Sequence, residues 1–528
     1  MGLGTAVLLD FCFPVAGPMP RWHSLIAWVA LIPLLWALLG ERAVQHPRYL
    51  RRAALTGYVC GVLWYILNCY WIYQTMLYYG HVPPLGSAGI VLLFSAVLGL
   101  YFGAFGLGMA LVRRRFGFGW ALAIAPFLWT ALELAAARIT SVPWDQLGYS
   151  QVDHQTLTRL APWTGVYGIS FVLVAGNALL LADWIPVKRV HPSLRFVIRL
   201  VVLALVWLSL GLRDPAPSPT SDYAVLLQPN IDVEPPDNWK GPQWEGQVNW
   251  LVDAARQTCT PAYGGMPLEK MAPPSRTCAQ NAPPPGVVVW PEVGSWFQSD
   301  DPRTLALVRT VATSADAPFI AGMFGHDVNG TYNSALFANS DGTIGGRYDK
   351  IHLVPFGEFV PYRDLFFFAK KLTHQLVDLQ RGRERRVFVA DGHTFGVFIC
   401  YESVFADEVR LFAKNGAQVL VNISDDGWYG DTSAPWQHLN MARMRAIEND
   451  RWLLRDTNNG VTTAIDPYGR VTVSAPRHTI TSLVARYGYT SDLTFYTKYG
   501  DVFAYACCAV AIAALLFSLG GPARIEST

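Results

Sequence analysis

Apolar runs long enough to cross a membrane bracket a stretch of ordinary globular composition, and that alternation constrains this chain more than any other feature. A spanning helix needs roughly 17–25 apolar residues. Candidates fall near residues 3–18, 24–40, 54–74, 86–112, 119–137, 163–184, 196–212 and 501–520, the first of them short. The expected organisation is a membrane domain of about seven spans over 1–212, a globular domain over 220–495 and a final transmembrane helix over 501–520. With 52% hydrophobic and 15% charged residues in 528, the chain is too apolar for a soluble protein.

Charge orients this arrangement. The loops after the second, fourth and sixth candidates carry Arg42, Arg48, Arg51 and Arg52, then Arg113, Arg114 and Arg115, then Lys188, Arg189 and Arg195, whereas the intervening loops are poor in Lys and Arg. Basic loops stay cytoplasmic, so the globular domain is expected on the opposite side with both termini cytoplasmic. The net charge of +2 has no extended single-sign patch and gives no reason to expect a nucleic-acid partner. Met1–Gly17 lacks a basic leader and runs into further spans, which favours an uncleaved first span. Glu133 and Arg138, near the outer end of the fifth candidate, are costly in lipid and read either as snorkelling residues or as functional ones.

Of eight cysteines, Cys12, Cys60, Cys69, Cys507 and Cys508 fall in apolar spans, where a small buried side chain is the ordinary role. Cys259 and Cys278 lie in a Pro-rich polar insertion over 257–286, and both a disulfide and two free thiols are open readings. No Cys pair has metal-site spacing, and neither a metal nor another cofactor is expected. With no sustained heptad pattern, the expected state is a monomer.

Within the globular part, Ala224–Leu227, Val287–Trp290, Phe319–Gly322, Ser334–Ala338, Thr394–Ile399 and Gln418–Ile423 are short apolar runs bounded by turn-forming residues and read as buried strands. Leu305–Thr313, Val404–Lys414 and His438–Asn449 have helical spacing between them, so a sheet covered by helices is expected. Glu292 and Cys400 each follow a strand candidate closely, and ligand sites in open α/β sheets gather beyond strand carboxyl ends.

Three residue types there suit acyl chemistry, which needs a nucleophile, a proton carrier and a group that holds an oxyanion. Cys400 ends the run Phe395–Ile399 where Tyr401 and Glu402 change the character of the chain, as a sharp turn would. On the residues alone, a buried inert thiol and a nucleophile both fit. Glu292, after Trp290 and Pro291, is placed to act as general base or to sit exposed in a loop. Lys350 lies in surroundings too apolar for a simple solvated loop, Ile351–His352–Leu353–Val354–Pro355–Phe356–Gly357, and is suited to hold an oxyanion or lower a thiol pKa.

The segments Trp290–Pro291–Glu292, Tyr348–Asp349–Lys350 through Glu358, and Ile399–Cys400–Tyr401–Glu402 resemble the three catalytic motifs of the nitrilase superfamily. More narrowly, the chain resembles the bacterial apolipoprotein N-acyltransferase family. That resemblance includes Val142–Pro143–Trp144 and Leu147–Gly148–Tyr149–Ser150–Gln151 in the membrane half, and Met441–Ala442–Arg443–Met444–Arg445–Ala446 and Thr457–Asn458–Asn459–Gly460 near the end. It implies an αββα nitrilase-like sandwich on a bundle of about eight spans in the bacterial inner membrane, facing the periplasm. It further implies that Cys400 takes an acyl chain from a phospholipid as a thioester, with Glu292 as general base and Lys350 stabilising the tetrahedral intermediate. The chain then passes to the α-amine of a diacylglyceryl-cysteine apolipoprotein.

The same resemblance gives Glu358, Tyr401, Glu402 and Trp239 supporting roles, with Trp244 the other aromatic that could match the last. Two departures bear on substrate loops: Asp425–Asp426–Gly427–Trp428–Tyr429–Gly430 stands where the family usually has an Asn-Asp-Ala-Trp-Phe-Gly-like run, and the 257–286 insertion is unusual. A membrane-tethered amidase would keep the same three residues but release its acyl group to water. A non-catalytic scaffold would have no need of them.

Overall fold

The computed structural model describes residues 1–184, 215–233, 252, 254–255, 284–292, 297–355, 357–359 and 379–520. The candidate span at 196–212, the basic residues Lys188, Arg189 and Arg195, Trp239 and Trp244, and Cys259 and Cys278 lie outside the described residues.

Among the described residues, four helices are long and apolar enough to cross a membrane: Arg21–Leu39, Pro84–Phe116, Phe118–Thr140 and Val502–Leu519. Tyr49–Asn68 with Trp71–Tyr78 makes a fifth if the pair, bent by 53°, is one span. The expectation of eight spans is therefore not met among these residues. The first candidate is helical only over Gly2–Asp10, nine residues, and a rise of 1.5 Å each gives roughly 14 Å against a hydrocarbon core of about 30 Å. In the sixth, the apolar stretch is Val166–Ala182, at the short end of what a crossing needs.

Small residues set how closely these helices pack. A Cβ on Gly57 would lie 2.2 Å from the carbonyl oxygen of Phe102, and one on Gly106 would lie 2.3 Å from that of Ala53. Tyr49–Asn68 and Pro84–Phe116 thus touch backbone to backbone, where helix association in lipid is driven by close packing. Leu92, Leu93 and Leu100 on the second of them, and Leu516, Phe517 and Leu519 on the last helix, are exposed, as lipid-facing residues would be.

Twelve strands are described in the remaining half: β1 (Asp222–Gln228), β2 (Val287–Trp290), β3 (Phe319–Asp327), β4 (Gly330–Ala338), β5 (Ile344–Asp349), β6 (Val387–Ala390), β7 (His393–Ile399), β8 (Val419–Ser424), β9 (Trp452–Thr457), β10 (Thr463–Ile465), β11 (Val471–Ser474) and β12 (Thr481–Tyr487). They form two six-stranded sheets, ordered β12-β1-β2-β3-β4-β5 and β11-β10-β9-β8-β7-β6. Each has three parallel strands at its centre, β1-β2-β3 or β7-β8-β9, flanked by antiparallel ones.

Side-chain alternation builds the layers, because successive residues of a strand point to opposite faces. Leu226, Val287, Val289 and Ile320 share one core with Phe395, Val397, Leu420 and Leu453 of the other sheet, and Phe337 stacks on Phe388 with ring centroids 4.9 Å apart. Their neighbours Val225, Val288, Trp290 and Phe319 turn the other way, onto Leu307, Val308 and Val311 of the helix Pro302–Ala315. Phe412, from the helix Ala406–Lys414, packs over Gly396 of the second sheet, which gives helix, sheet, sheet, helix.

Candidate functional site

The parallel strands β2 and β7 end near a common point, one from each sheet. Glu292 lies two residues beyond β2, Lys350 directly follows β5, and Cys400 directly follows β7. The structure brings the first two of these predicted residues into contact. Lys350 Nζ lies 3.3 Å from Glu292 Oε1 and 2.9 Å from Glu358 Oε1. Asn333 of β4 joins both acids, donating from Nδ2 to Glu292 Oε1 at 2.6 Å and to Glu358 Oε1 at 2.7 Å. The second oxygen of Glu292 accepts from the Asp425 backbone N–H at 2.8 Å, and that of Glu358 accepts from the Val354 N–H at 2.7 Å.

Lys350 is only 1% exposed. Burial by itself would favour its neutral form, but Glu292 and Glu358 outweigh that and raise its pKa above the usual lysine value, so it is a fixed cation. Such a cation, already oriented by two acids, is organised to receive negative charge as it develops.

Cys400 is buried and holds a backbone φ of +50°, the sharp turn expected after the β7 run. Burial and then Glu292 push its thiol pKa well above the usual value, more than Lys350 and a hydrogen bond from Ser424 lower it. These influences favour the thiol over the thiolate, and a thiol so placed needs a base when it reacts.

The supporting residues do different work. Glu402 accepts from Tyr348 Oη at 2.8 and 2.9 Å, from the N–H groups of Ile351 at 2.7 Å and His352 at 3.1 Å, and from that of Ile399 at 2.7 Å. It thereby ties the backbone after Lys350 to the backbone before Cys400. Tyr401 Oη donates to the Ser141 carbonyl at 2.9 Å, fastening the Cys400 turn to the helical half. Arg138, left open in the sequence, pairs with Asp407 and Asp501 across the same junction. Glu133 accepts from Trp129 Nε1 at 2.9 Å and the Leu147 N–H at 2.8 Å.

Sequence reasoning missed Asn333 and the Asp425 N–H. Neither carries a local signal: Asn333 lies mid-strand, and the other is a backbone group. Asp425 itself is a buried carboxyl, which desolvation and then Glu292 raise to about 8, so it holds a proton at neutral pH. Among the described residues, no group of three His, Cys, Asp or Glu side chains is arranged to hold a metal ion.

The chain is similar to known proteins over nearly its whole length. Residues 242–487 match the carbon-nitrogen hydrolase family, and residues 6–179 match the apolipoprotein N-acyltransferase N-terminal domain. The apolipoprotein N-acyltransferase of Geobacter metallireducens is 33% identical over 98% of this chain and 95% of its own length. That of Methylococcus capsulatus is 31% identical over 96% of this chain and 94% of its own. Among solved structures, Saccharomyces cerevisiae Nit3, a member of branch 10 of the nitrilase superfamily, aligns with 52% of this chain and 93% of its own at 16% identity and a TM-score of 0.37.

Proposed function

The chain belongs to the apolipoprotein N-acyltransferase family, and from that premise we propose that it moves an acyl chain from a phospholipid, through a thioester on Cys400, to the N-terminal α-amine of a diacylglyceryl-cysteine apolipoprotein. Membership makes it an acyltransferase of lipoprotein biosynthesis on a nitrilase-type domain. The steps below are our reading of the geometry.

Glu292 takes the thiol proton as sulfur attacks the ester carbonyl, and Lys350 holds the oxyanion of the tetrahedral intermediate. Collapse breaks the ester C–O bond, and the lysophospholipid leaves with the proton Glu292 returns. The acceptor amine then attacks the thioester, Glu292 takes its proton, and as the C–S bond breaks Glu292 passes that proton to the sulfur to restore the thiol. The two half-reactions share one site and run in ping-pong order. The observation that carries this reading is a carboxylate and a lysine held 3.3 Å apart among strand ends, at the turn where Cys400 closes its strand. Glu358, Tyr401 and Glu402 hold that geometry, and the family resemblance gives Trp239 a supporting role.

In this reading residues 1–212 and 501–520 sit in the inner membrane of a bacterium, and residues 220–495 face the periplasm. Both termini are cytoplasmic, in keeping with Arg42, Arg48, Arg51, Arg52 and Arg113–Arg115. The enzyme works as a monomer.

Intact mass of the purified protein tests the proposal. Incubation with phospholipid alone should add one acyl mass to wild type and none to Cys400→Ala, and a diacylated lipopeptide should then remove it and gain it at its amine. Acyl mass released to water with the lipopeptide unchanged would make the protein a hydrolase. No Cys400-dependent adduct would end the thioester mechanism.

A further inference from the structure

The left-handed backbone of Cys400 is strained for a non-glycine residue and persists only where its surroundings impose it. A buried side-chain chain holds that turn. His438, on the helix Ala434–Asn449, lies with Nε2 3.1 Å from the Cys400 carbonyl oxygen and 2.7 Å from Ser403 Oγ. A carbonyl can only accept, so Nε2 donates to it, and Nδ1 faces both Asp426 Oδ1 and Arg455 Nη2 at 3.0 Å. Burial, and then Arg455, hold His438 below its usual pKa against the opposing pull of Asp426. Arg455 is fixed by Asp426 at 2.7 Å, and Asp426 accepts from Ser424 Oγ at 2.9 Å.

The residue next to His438 grips the other half of the molecule. Gln437 accepts from Trp144 Nε1 at 2.9 Å and donates to the carbonyl of Pro14 at 3.2 Å and that of Asn68 at 3.1 Å. The Trp144 ring lies stacked on the His438 ring, centroids 6.0 Å apart and planes 21° apart. Trp71 packs between Trp144 and Tyr429, at 4.9 and 5.1 Å.

We propose that His438 is a positioning residue for the Cys400 turn, and that Trp144 and Gln437 make its placement depend on how the membrane half docks. The nucleophile is then aligned only when both halves are seated.

The test uses the full-length protein in detergent and two readouts. One is the rate of Cys400 alkylation by iodoacetamide, mapped by peptide mass with Cys400→Ala as background. The other is single-turnover thioester formation from phospholipid. Only the second rests on the acyl-transfer reading. His438→Leu should slow both on the order of 10²-fold, the scale of a small misplacement of reacting groups. His438→Gln, which returns an N–H near the Nε2 position, should recover most of that loss. Trp144→Leu should slow both about tenfold with KM for phospholipid unchanged, because it acts on alignment and not on lipid contact.

Alkylation as fast in His438→Leu as in wild type overturns the proposal. Where His438→Leu does not yield folded protein, Trp144→Leu decides: an unchanged alkylation rate overturns it equally. A wild type that is alkylated but never acylated refutes the acyl-transfer reading and leaves the alkylation comparison standing.

Discussion

Replacing Glu402 by Gln should cost more stability than so small a change suggests, because the carboxylate is saturated with donors. Four groups point at it: the Tyr348 hydroxyl and the N–H groups of Ile351, His352 and Ile399. A glutamine side chain has one accepting oxygen and an NH2 group that only donates. Its least damaging placement puts the oxygen on Ile351 and His352, lets the Tyr348 hydroxyl turn to accept, and aims NH2 at the Ile399 N–H. One buried N–H is then orphaned, at about 1–3 kcal/mol, and two charge-assisted bonds become neutral ones, for a loss of roughly 3–5 kcal/mol in all. At about 2–4 °C per kcal/mol for a domain of this size, the melting temperature of the detergent-purified protein should fall by on the order of 10 °C. The backbone on either side of the site loosens together, so kcat at low temperature should fall with little change in KM. Scanning fluorimetry gives the first number and steady-state transfer the second. A melting temperature within about 2 °C of wild type would show that these bonds do not hold the two segments together.

Lys350→Met removes the oxyanion cation and leaves Glu292 and Glu358 facing each other, so thioester formation should fall on the order of 10³-fold or more in single-turnover mass spectrometry. Asp425 titrates near 8 when folded and near 4 when unfolded, so the folded state binds the extra proton. Its contribution is complete below about pH 4 and is lost as pH rises to about 8, and the melting temperature should fall across that window less in Asp425→Asn than in wild type. Equal slopes would remove Asp425 as the cause. Arg138→Gln strands Asp501, nearly fully buried, and should lower the melting temperature by a few degrees, an effect that added salt only partly reproduces in wild type.

What could be read from sequence was what is encoded locally. Val287–Trp290 and Phe395–Ile399 stand out because they are unbroken buried runs without a polar side chain, as central parallel strands are. β9 hides from the same test because Arg455 and Asp456 sit inside it, buried, and β11 hides because it is mostly exposed at a sheet edge. Glu292, Lys350 and Cys400 were legible because each closes a recognisable segment. Asn333 and His438 were not, since their roles lie in contacts with Glu292, 41 positions away, and Cys400, 38 positions away, which no local pattern encodes. Of the spans expected from hydropathy, four or five are matched among the described residues, and Gly2–Asp10, apolar but nine residues long, is too short to cross.

Two separate demands meet on one face of the catalytic half. Sheets of this kind gather their chemistry beyond strand carboxyl ends, where Glu292, Cys400 and Asp425 lie. The proposed exchange adds a second demand, because each CH2 drawn from hydrocarbon into water costs about 0.8 kcal/mol, and a chain of about 16 carbons would cost roughly 10 kcal/mol or more to lift free. The thiol must therefore meet the ester at the membrane surface. Contacts with the membrane half fall on the segments that follow β7 and β8: Tyr401 on Ser141, Trp428 on Thr75, Ser433 on Tyr70 and Gln437 on Asn68. The face that must hold the site is also the face that must meet the lipid, so the two halves have one productive orientation. That orientation places the docking contacts next to the residues they align.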